Sequence, residues 1–511
     1  MLRSDGLIPL NGGAYQARDP IAGAQICENL FPETNPQTAD PTAAVTNYPR
    51  EGKRPLSAPP NPDIGRGIFT MSNGALFGVV GSFVYSIDTA WNWNVLGQIG
   101  NATTPVSMSD NGVNAVLVDG SVVGYQIVLG TSAFSTIVDA TGSFQGSRRV
   151  DFSDTYLAFA TPGTNEWLVT LSDQVAFNAL VNAAKDSSPD PIETLAFNLR
   201  QAWLLGTQRS EIWFLAGSTP FPYNEWPNVF IPYGCAAVYS LTQADYNLFW
   251  LSRNPNGQAI ALKTKGNAVE AVSTRALEYE WSNYARIDDC ITGSFQQAGH
   301  TFVVFHFPSA DRSWAYDLAT QQWHRRTYLD AQGGSHREKT AFYAAVGADG
   351  GYAPTVVGQD WQTGQIYALD PKFYTDNGQP IICRRSFPHV MENMKEITHV
   401  AFVADFSTGN IIGVGDNPPG SPWSTGFSSG FGPNFATPSS GPQLFMRYSN
   451  DGGNTWTNYR GKKRMNSGNY RSMMRWRGLG MARDRIYELL WSYNAESALQ
   501  GAFVDPLVHG A

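Results

Sequence analysis

Residues 74–87 read GALFGVVGSFVYSI, in which two apolar runs, Leu76–Val80 and Phe83–Ile87, flank a turn at Gly81. Strand-forming residues on both sides of a short glycine-containing turn predict a β-hairpin. The pattern recurs at intervals of 39 to 53 residues, with turns near Gly81, Gly120, Gly163, Gln208, Asn256, Ser309 and Gly358. A four-stranded propeller blade takes about 40 to 50 residues, so this period predicts an all-β fold built on a β-propeller of about six to seven blades. A string of β-sandwiches is the alternative.

The chain of 511 residues divides into three predicted regions. Residues 1–65 are rich in proline and are predicted to form an extended N-terminal arm. Residues 66–380 form the propeller, with a helical insertion near 173–186, where helix formers precede two prolines. Residues 381–511 are predicted to form a C-terminal antiparallel β-sandwich-like domain. Its Gly/Ser/Pro-rich insertion, 408–442, is interpreted either as a solvated linker or as an aromatic docking loop.

The composition limits the class of protein. Charged residues make up 15% of the chain, against about 25% in a typical domain. A surface this poor in charge predicts that partner subunits cover part of it. The net charge of −8 argues against a protein whose whole surface binds nucleic acid. No apolar run has the length of a signal peptide or membrane span, so we expect a soluble protein with no integral membrane segment.

The four cysteines, Cys27, Cys235, Cys290 and Cys383, are far apart in the sequence and have no neighbouring histidine. Zinc sites need closely spaced Cys and His ligands, so these cysteines are predicted to be buried free thiols. No Walker A loop, dinucleotide fingerprint, zinc-protease motif or paired carboxylates are found. We therefore predict no catalytic residues, no metal and no cofactor, and a protein that is not an enzyme.

Residues 449–456, SNDGGNTW, match an Asp-box, the S-x-D-x-G-x-T-W turn found in sialidase-type propellers. The residues of this predicted turn are Ser449, Asp451, Gly453, Thr455 and Trp456. The Asp side chain accepts backbone hydrogen bonds, while glycine permits the positive φ of the turn. Sialidases repeat the box in several blades, whereas this chain has one clear copy. A structural hairpin is therefore the preferred interpretation, with a sialidase-like hydrolase as an alternative.

Basic residues are concentrated beside this turn. Residues 447–485 contain ten Lys or Arg and two Asp, a net charge of +8, which leaves −16 for the rest of the chain. Such a stretch is interpreted as a solvated basic face, a docking surface for an acidic protein, or a contact with DNA phosphates. The candidate partner contacts are Arg460, Lys462, Lys463, Arg464, Arg471, Arg475 and Arg477, with Trp423 and Phe427 of the insertion.

Several of these segments resemble the packaged-DNA stabilisation or tail-hub (nozzle) proteins of short-tailed double-stranded DNA bacteriophages. Residues 28–33, ENLFPE, are similar to the family's N-L-[YF]-P-E opening, and residues 177–192 and 211–214 match internal segments. The most specific part is residues 446–456, MRYSNDGGNTW, followed by 467–489, SGNYRSMMRWRGLGMARDRIYEL. The insertion 408–442 has no counterpart in the family pattern.

The resemblance implies a structural protein of the virion tail, assembled in the bacterial host's cytoplasm as a ring, expected to be a hexamer. The ring would lie below the portal and its adaptor, extend the DNA channel, retain the packaged DNA until ejection, and carry a tailspike, fibre or needle. Double-stranded DNA would pass without sequence recognition, and the basic stretch would face a partner, not the channel. A peripheral receptor-binding or glycan-binding propeller is the alternative.

Overall fold

A computed structural model describes residues 6–10, 12–34, 45–393, 395–408, 443–463, 471–492 and 497–508. These residues are mostly β-strands, as predicted. The α-helix Arg275–Ser282 is capped by Thr274, whose hydroxyl accepts the Leu277 N–H. Short 3₁₀ helices cover Pro20–Ala22, Val238–Ser240 and Ala348–Gly350.

Antiparallel four-stranded sheets form the blades of a β-propeller, which confirms the predicted fold. Six blades take all four strands from consecutive sequence. They are Gly65–Thr70, Leu76–Val80, Phe83–Ile87 and Trp93–Gln98 (blade 1); Ser107–Asp110, Asn114–Val118, Gly124–Val128 and Ala133–Thr136 (blade 2); Val150–Ser153, Tyr156–Ala160, Glu166–Val169 and Asn182–Ala184 (blade 3); Ile192–Asn198, Gln201–Gly206, Ser210–Leu215 and Tyr223–Glu225 (blade 4); Thr242–Ala244, Asn247–Arg253, Ala259–Lys265 and Ala268–Ala271 (blade 5); Ile291–Gln297, His300–Phe307, Arg312–Asp317 and Gln322–Arg325 (blade 6).

A seventh sheet of mixed origin closes the ring. Thr340–Val346, Thr355–Asp360 and Ile366–Asp370 supply three strands, and Gly52–Ser57 from the N-terminal region supplies the outer fourth. The innermost strand, Thr340–Val346, contacts the innermost strand of blade 1. Ring closure therefore depends on backbone pairing between residues that are about 310 positions apart.

The predicted hairpin turns are confirmed in the first six blades, but the one near Gly358 is wrong. Gly358 lies inside the strand Thr355–Asp360, and a Cβ there would lie 2.8 Å from Cγ2 of Thr340. The glycine therefore permits close packing of two strands, and the turn itself contains Gly364 at a φ of 70°.

The predicted helix near 173–186 is absent, and this segment is a loop that ends in the strand Asn182–Ala184. Asp173 has a φ of 57°, outside the helical range. Phe177 stacks on Phe144 with ring centroids 5.1 Å apart, and the new strand pairs with Glu166–Val169. An isolated helix of this length is marginal, so packing and sheet pairing override its local helix propensity.

The C-terminal region forms a sandwich of two sheets, in agreement with the prediction. One sheet contains Leu30–Thr34, Val45–Pro49, Ile397–Thr408, Arg471–Arg477 and Ser497–Val508, with Leu7–Ile8 and Met481–Ala482 at its margins. The other continues the sheet of blade 6 through Cys27–Glu28, Cys383–Ser386, Asp484–Trp491, Gln443–Ser449 and Arg460–Lys463, with Val390–Met391 alongside. Aromatic side chains fill the space between them, and Phe402 stacks on Tyr487 at 4.5 Å. The four cysteines are buried thiols outside any disulfide, as predicted.

The remaining strands form short hairpins, Tyr15–Gln16 with Ala24–Gln25, Thr327–Leu329 with Ser335–Arg337, and Thr375–Asp376 with Gln379–Pro380. The N-terminal strands thus belong to both large units. The division at 65 and 380 stays a prediction about folding units, because sheets cross both boundaries.

A buried ionic cluster fixes the N-terminal region to the propeller. It contains Arg50, Lys53 and Arg326 together with Glu51, Glu338 and Asp376, and these side chains are at most 1% exposed. The guanidinium of Arg50 donates to Asp376 at 3.1 Å, and that of Arg326 donates to Glu51 at 3.1 Å. Three positive and three negative charges balance, which is the condition for burying them.

Candidate partner-binding surface

The Asp-box turn has the hydrogen bonds that its sequence predicts. The Asp451 carboxylate accepts the N–H of Thr455 at 2.8 Å and its hydroxyl at 2.6 Å, and it accepts the Ser449 hydroxyl at 2.7 Å. These donors, Thr455 first, lower the pKa of Asp451 to about 2. The indole of Trp456 donates to the carbonyl of Gly453 at 3.0 Å, which closes the turn.

The turn also packs against the N-terminal region. A Cβ on Gly452 would lie 2.7 Å from Cγ1 and 2.9 Å from Cα of Ile21, and Gly452 has a φ of 70°. A Cβ on Gly453 would lie 3.2 Å from Cβ of Ala24. The two glycines therefore allow close packing as well as the turn conformation. The contacts give the Asp-box a structural role in holding the N-terminal strands on the sandwich.

The predicted partner contacts lie on two edge strands of the sandwich. Arg460 and Lys462 are exposed on Arg460–Lys463, while Arg471, Arg475 and Arg477 are exposed on Arg471–Arg477. The two edges meet where the Trp476 indole donates to the Arg460 carbonyl at 3.0 Å. Five of the predicted contacts therefore belong to neighbouring strands. Arg464, Trp423, Phe427 and the side chain of Lys463 lie outside the described residues.

Alternation along Arg471–Arg477 separates a basic face from the core. Ser472, Met474 and Trp476 point inward and are buried, whereas the arginines and Met473 point outward. Arg471 forms an ion pair with Asp405 at 3.0 Å. Arg475 and Arg477 form no ion pair with any residue that the structure describes, so they are open to a partner.

Two arginines of the same basic stretch have structural roles instead. Arg485 is buried and donates to the Leu479 carbonyl at 2.8 Å and to Asn450 at 2.7 Å. Arg447 lies 4.6 Å from the ring centroids of both Trp456 and Tyr459 and donates to Glu488 at 2.6 Å. The exposed positive charge of residues 447–485 is therefore smaller than the net charge of +8 counted from their sequence.

A cleft of about 820 Å³, which the sequence reasoning missed, opens between the propeller and the sandwich. Its walls include Tyr328 from the propeller side and Arg384, Arg447 and Tyr459 from the sandwich side. Burial opposes ionisation of Glu488 beneath the wall, but Arg384 and Arg447 lower its pKa overall. The cleft forms only when strands that are distant in sequence come together. Among its lining residues, Arg447 was the one that the sequence drew attention to, because it lies beside the Asp-box.

The described residues contain no cluster of three or more His, Cys, Asp or Glu that could hold a metal ion. Within the same residues, no helix is long and apolar enough to cross a membrane.

The comparison with a family model supports the propeller fold. A family model described as "Bacteriophage P22 Gp10, beta-propeller" matches residues 10–374, well over half of the chain. Solved structures that the search matches to the chain include the WD40 β-propeller domain of Doa1 (7% identity, 63% of this chain and 98% of that chain, TM-score 0.39). The N-terminal domain of Nup159 is another (10% identity, 67% and 98%, TM-score 0.40). No curated protein matches the chain.

Proposed function

The chain belongs to the bacteriophage P22 Gp10 β-propeller family, and from this premise we propose that it is a hub protein of a phage tail. It forms a ring of copies, six in number, below the portal and its adaptor. The ring extends the DNA channel, retains the packaged genome until ejection, and carries a tailspike, fibre or needle. The observation that carries this proposal is the family match over residues 10–374.

The architecture supports a structural role. The sheet of blade 6 continues into the sandwich through Cys27–Glu28, so propeller and sandwich share hydrogen-bonded backbone. The buried ionic cluster adds a second link between the N-terminal strand and blades 6 and 7. A subunit joined in this way resists relative movement of its parts, which suits a component that holds pressurised DNA.

The surface supports assembly between copies of the chain. Arg475, Arg477 and Met473 stand on one face of an edge strand, and low overall charge reduces the desolvation cost of burying large areas between subunits. DNA would pass through the ring without base recognition, because the chain as a whole is acidic. We propose no enzymatic activity for the protein.

A phage from which this gene is deleted tests the proposal, with wild-type protein supplied from a plasmid as the control. We expect particles that lack the protein to package DNA, to lose it on storage and to lack tail appendages. Particles complemented from the plasmid should recover infectivity. Cryo-electron microscopy of complemented virions should show a ring of six copies around the channel. Absence of the protein from virions, or its presence only at the tail periphery, would overturn the proposal.

A further inference from the structure

We propose that the outward face of the sandwich, which carries Arg475 and Arg477, binds the outer rim of blades 2 and 3 of a second copy of this chain. This inference rests on the proposed ring and names the two surfaces that build it. The sandwich face is called the basic face, and the surface formed by Val138, Asp139, Glu166, Leu180 and Asp186 is called the acidic rim.

The basic face is the outward surface of this sheet; its central strand is largely covered, with Val403 only 9% exposed, and exposed apolar side chains lie on the strands around it. Cross-strand neighbours share a face, and pairing places Arg475, Val403 and Phe503 in one row across three strands. Met473, Met481 and Leu507 are 62%, 57% and 56% exposed. Large apolar side chains at this density mark an interaction surface.

The charge of this face is positive. Arg471, Arg475 and Arg477 are opposed by Asp405, which Arg471 neutralises, and by the exposed Asp505. Because Arg475 and Arg477 have no ion-pair partner among the described residues, a partner with carboxylates would complement them.

The acidic rim has the opposite charge and the same mixture of side chains. Residues 65–225, which form blades 1 to 4, contain 13 acidic and 6 basic residues. In blade 3, Glu166 and Asp186 are exposed, and so are Leu180 of the same blade and Val138 after the last strand of blade 2, at 67% and 83%. Apolar contacts surrounded by complementary charges are the usual composition of a protein interface.

The topology favours contact between copies over contact within one copy. The sandwich continues the outer edge of blade 6, and blades 2 and 3 each lie three blades away around the ring. A surface on one side of a subunit that fits a different surface on the opposite side generates a head-to-tail interface, and such interfaces form rings when the rotation between subunits closes. A self-complementary dimer would need both surfaces in one patch.

Photo-cross-linking in virions tests the contact. Met473 is replaced by p-benzoylphenylalanine in plasmid-supplied protein, complemented virions are irradiated, and adducts are mapped by mass spectrometry. We expect adducts between residue 473 and peptides of blades 2 or 3 of a second copy, and none from the same probe at the exposed Lys372 of blade 7. Adducts to DNA, to another virion protein or to residue 473 of another copy would refute the interface, as would no adduct. If the protein is absent from virions, the proposed function fails as well.

Charge exchange supplies an independent readout. Arg475→Glu with Arg477→Glu should reduce the adduct yield at least about tenfold, and Glu166→Lys with Asp186→Lys should do the same, because like charges then face each other. All four substitutions in one chain should restore the yield to within about threefold of wild type. The matched control, Arg253→Glu with Lys372→Glu, makes the same charge change elsewhere and should leave the yield unchanged. Unaltered melting temperatures confirm folding, and failure of the fourfold variant to recover would contradict the charge pairing.

Discussion

Replacing Glu338 with Gln should destabilise the protein severely, because this carboxylate lies at the centre of the buried ionic cluster. It contacts Lys53 directly and lies 3.8 Å from Arg50 and 3.7 Å from Arg326. The substitution leaves three buried cations facing two carboxylates, Glu51 and Asp376. Removing one partner of a buried ion pair costs about 3 to 5 kcal/mol, a large share of the 5 to 15 kcal/mol that typically stabilises a protein.

Equilibrium urea denaturation, followed by tryptophan fluorescence, measures this loss. With a urea dependence of about 3 kcal/mol per M, the midpoint should fall by about 1 M or more. The control is Glu166→Gln, which removes an exposed carboxylate that forms no ion pair with a described residue and should move the midpoint little. A loss below about 0.5 kcal/mol for Glu338→Gln would refute the reasoning.

A double variant separates charge imbalance from altered packing. Lys53→Met in the Glu338→Gln background removes one cation and restores equal numbers of buried charges. Buried ion pairs are often replaceable by apolar groups at little cost, so the double variant should be more stable than Glu338→Gln alone. An additive loss in the double variant would show that packing, not charge, dominates.

The same variant predicts a change in pH dependence. Burial opposes ionisation of Glu338, but Arg50, Lys53 and Arg326 lower its pKa below the ordinary value of 4.5 overall. The unfolded chain therefore binds this proton at a higher pH than the folded chain does, and stability falls as the pH drops below about 4.5. The wild type should lose stability more steeply on acidification than Glu338→Gln, so the difference between them should shrink at low pH.

Further substitutions test other parts of the structure. Asp451→Ala removes the acceptor of three hydrogen bonds in the Asp-box and should cost about 1 to 3 kcal/mol in thermal denaturation; an unchanged melting temperature would show that the turn is not needed for stability. Gly452→Ala places a Cβ against Ile21 at a positive φ and should weaken the contact between the Asp-box turn and the N-terminal region. The double variant Gly452→Ala/Ile21→Ala should recover part of the loss. If Gly452→Ala resists limited proteolysis as well as wild type does, this expectation is wrong. Burial lowers the pKa of His399 to about 3, so only the unfolded state gains a proton on this residue as the pH falls below about 6.5. Wild type should therefore lose more stability between pH 7 and 5 than His399→Gln does. Equal losses of stability in the two proteins would contradict the lowered pKa. Deleting residues 1–57 removes the outer strand of blade 7 and should prevent a cooperative melt of the propeller, and a well-folded product in circular dichroism would show that this strand is dispensable.

The sequence determined the propeller because its signal is local and repeated. Each blade is a run of short strands with glycine or polar turns between them, and the period is visible without knowing which strands pair. The Asp-box was readable for the same reason, because its hydrogen bonds join residues within a few positions of each other.

Tertiary structure decided the features that depend on distant residues. Phe177 and Val181 are compatible with a helix locally, but packing on Phe144 and strand pairing made their segment a loop and strand. Gly52–Ser57 became the outer strand of blade 7, and Glu338 met Lys53 and Arg50, only because the ring closes across more than 280 residues. The fold also decides which arginines of the basic stretch can contact a partner. It buries Arg485 and pairs Arg447 with Glu488, while Arg475 and Arg477 stay exposed. Local pattern fixes the period and facing of strands, whereas burial and charge compensation depend on which distant groups come together.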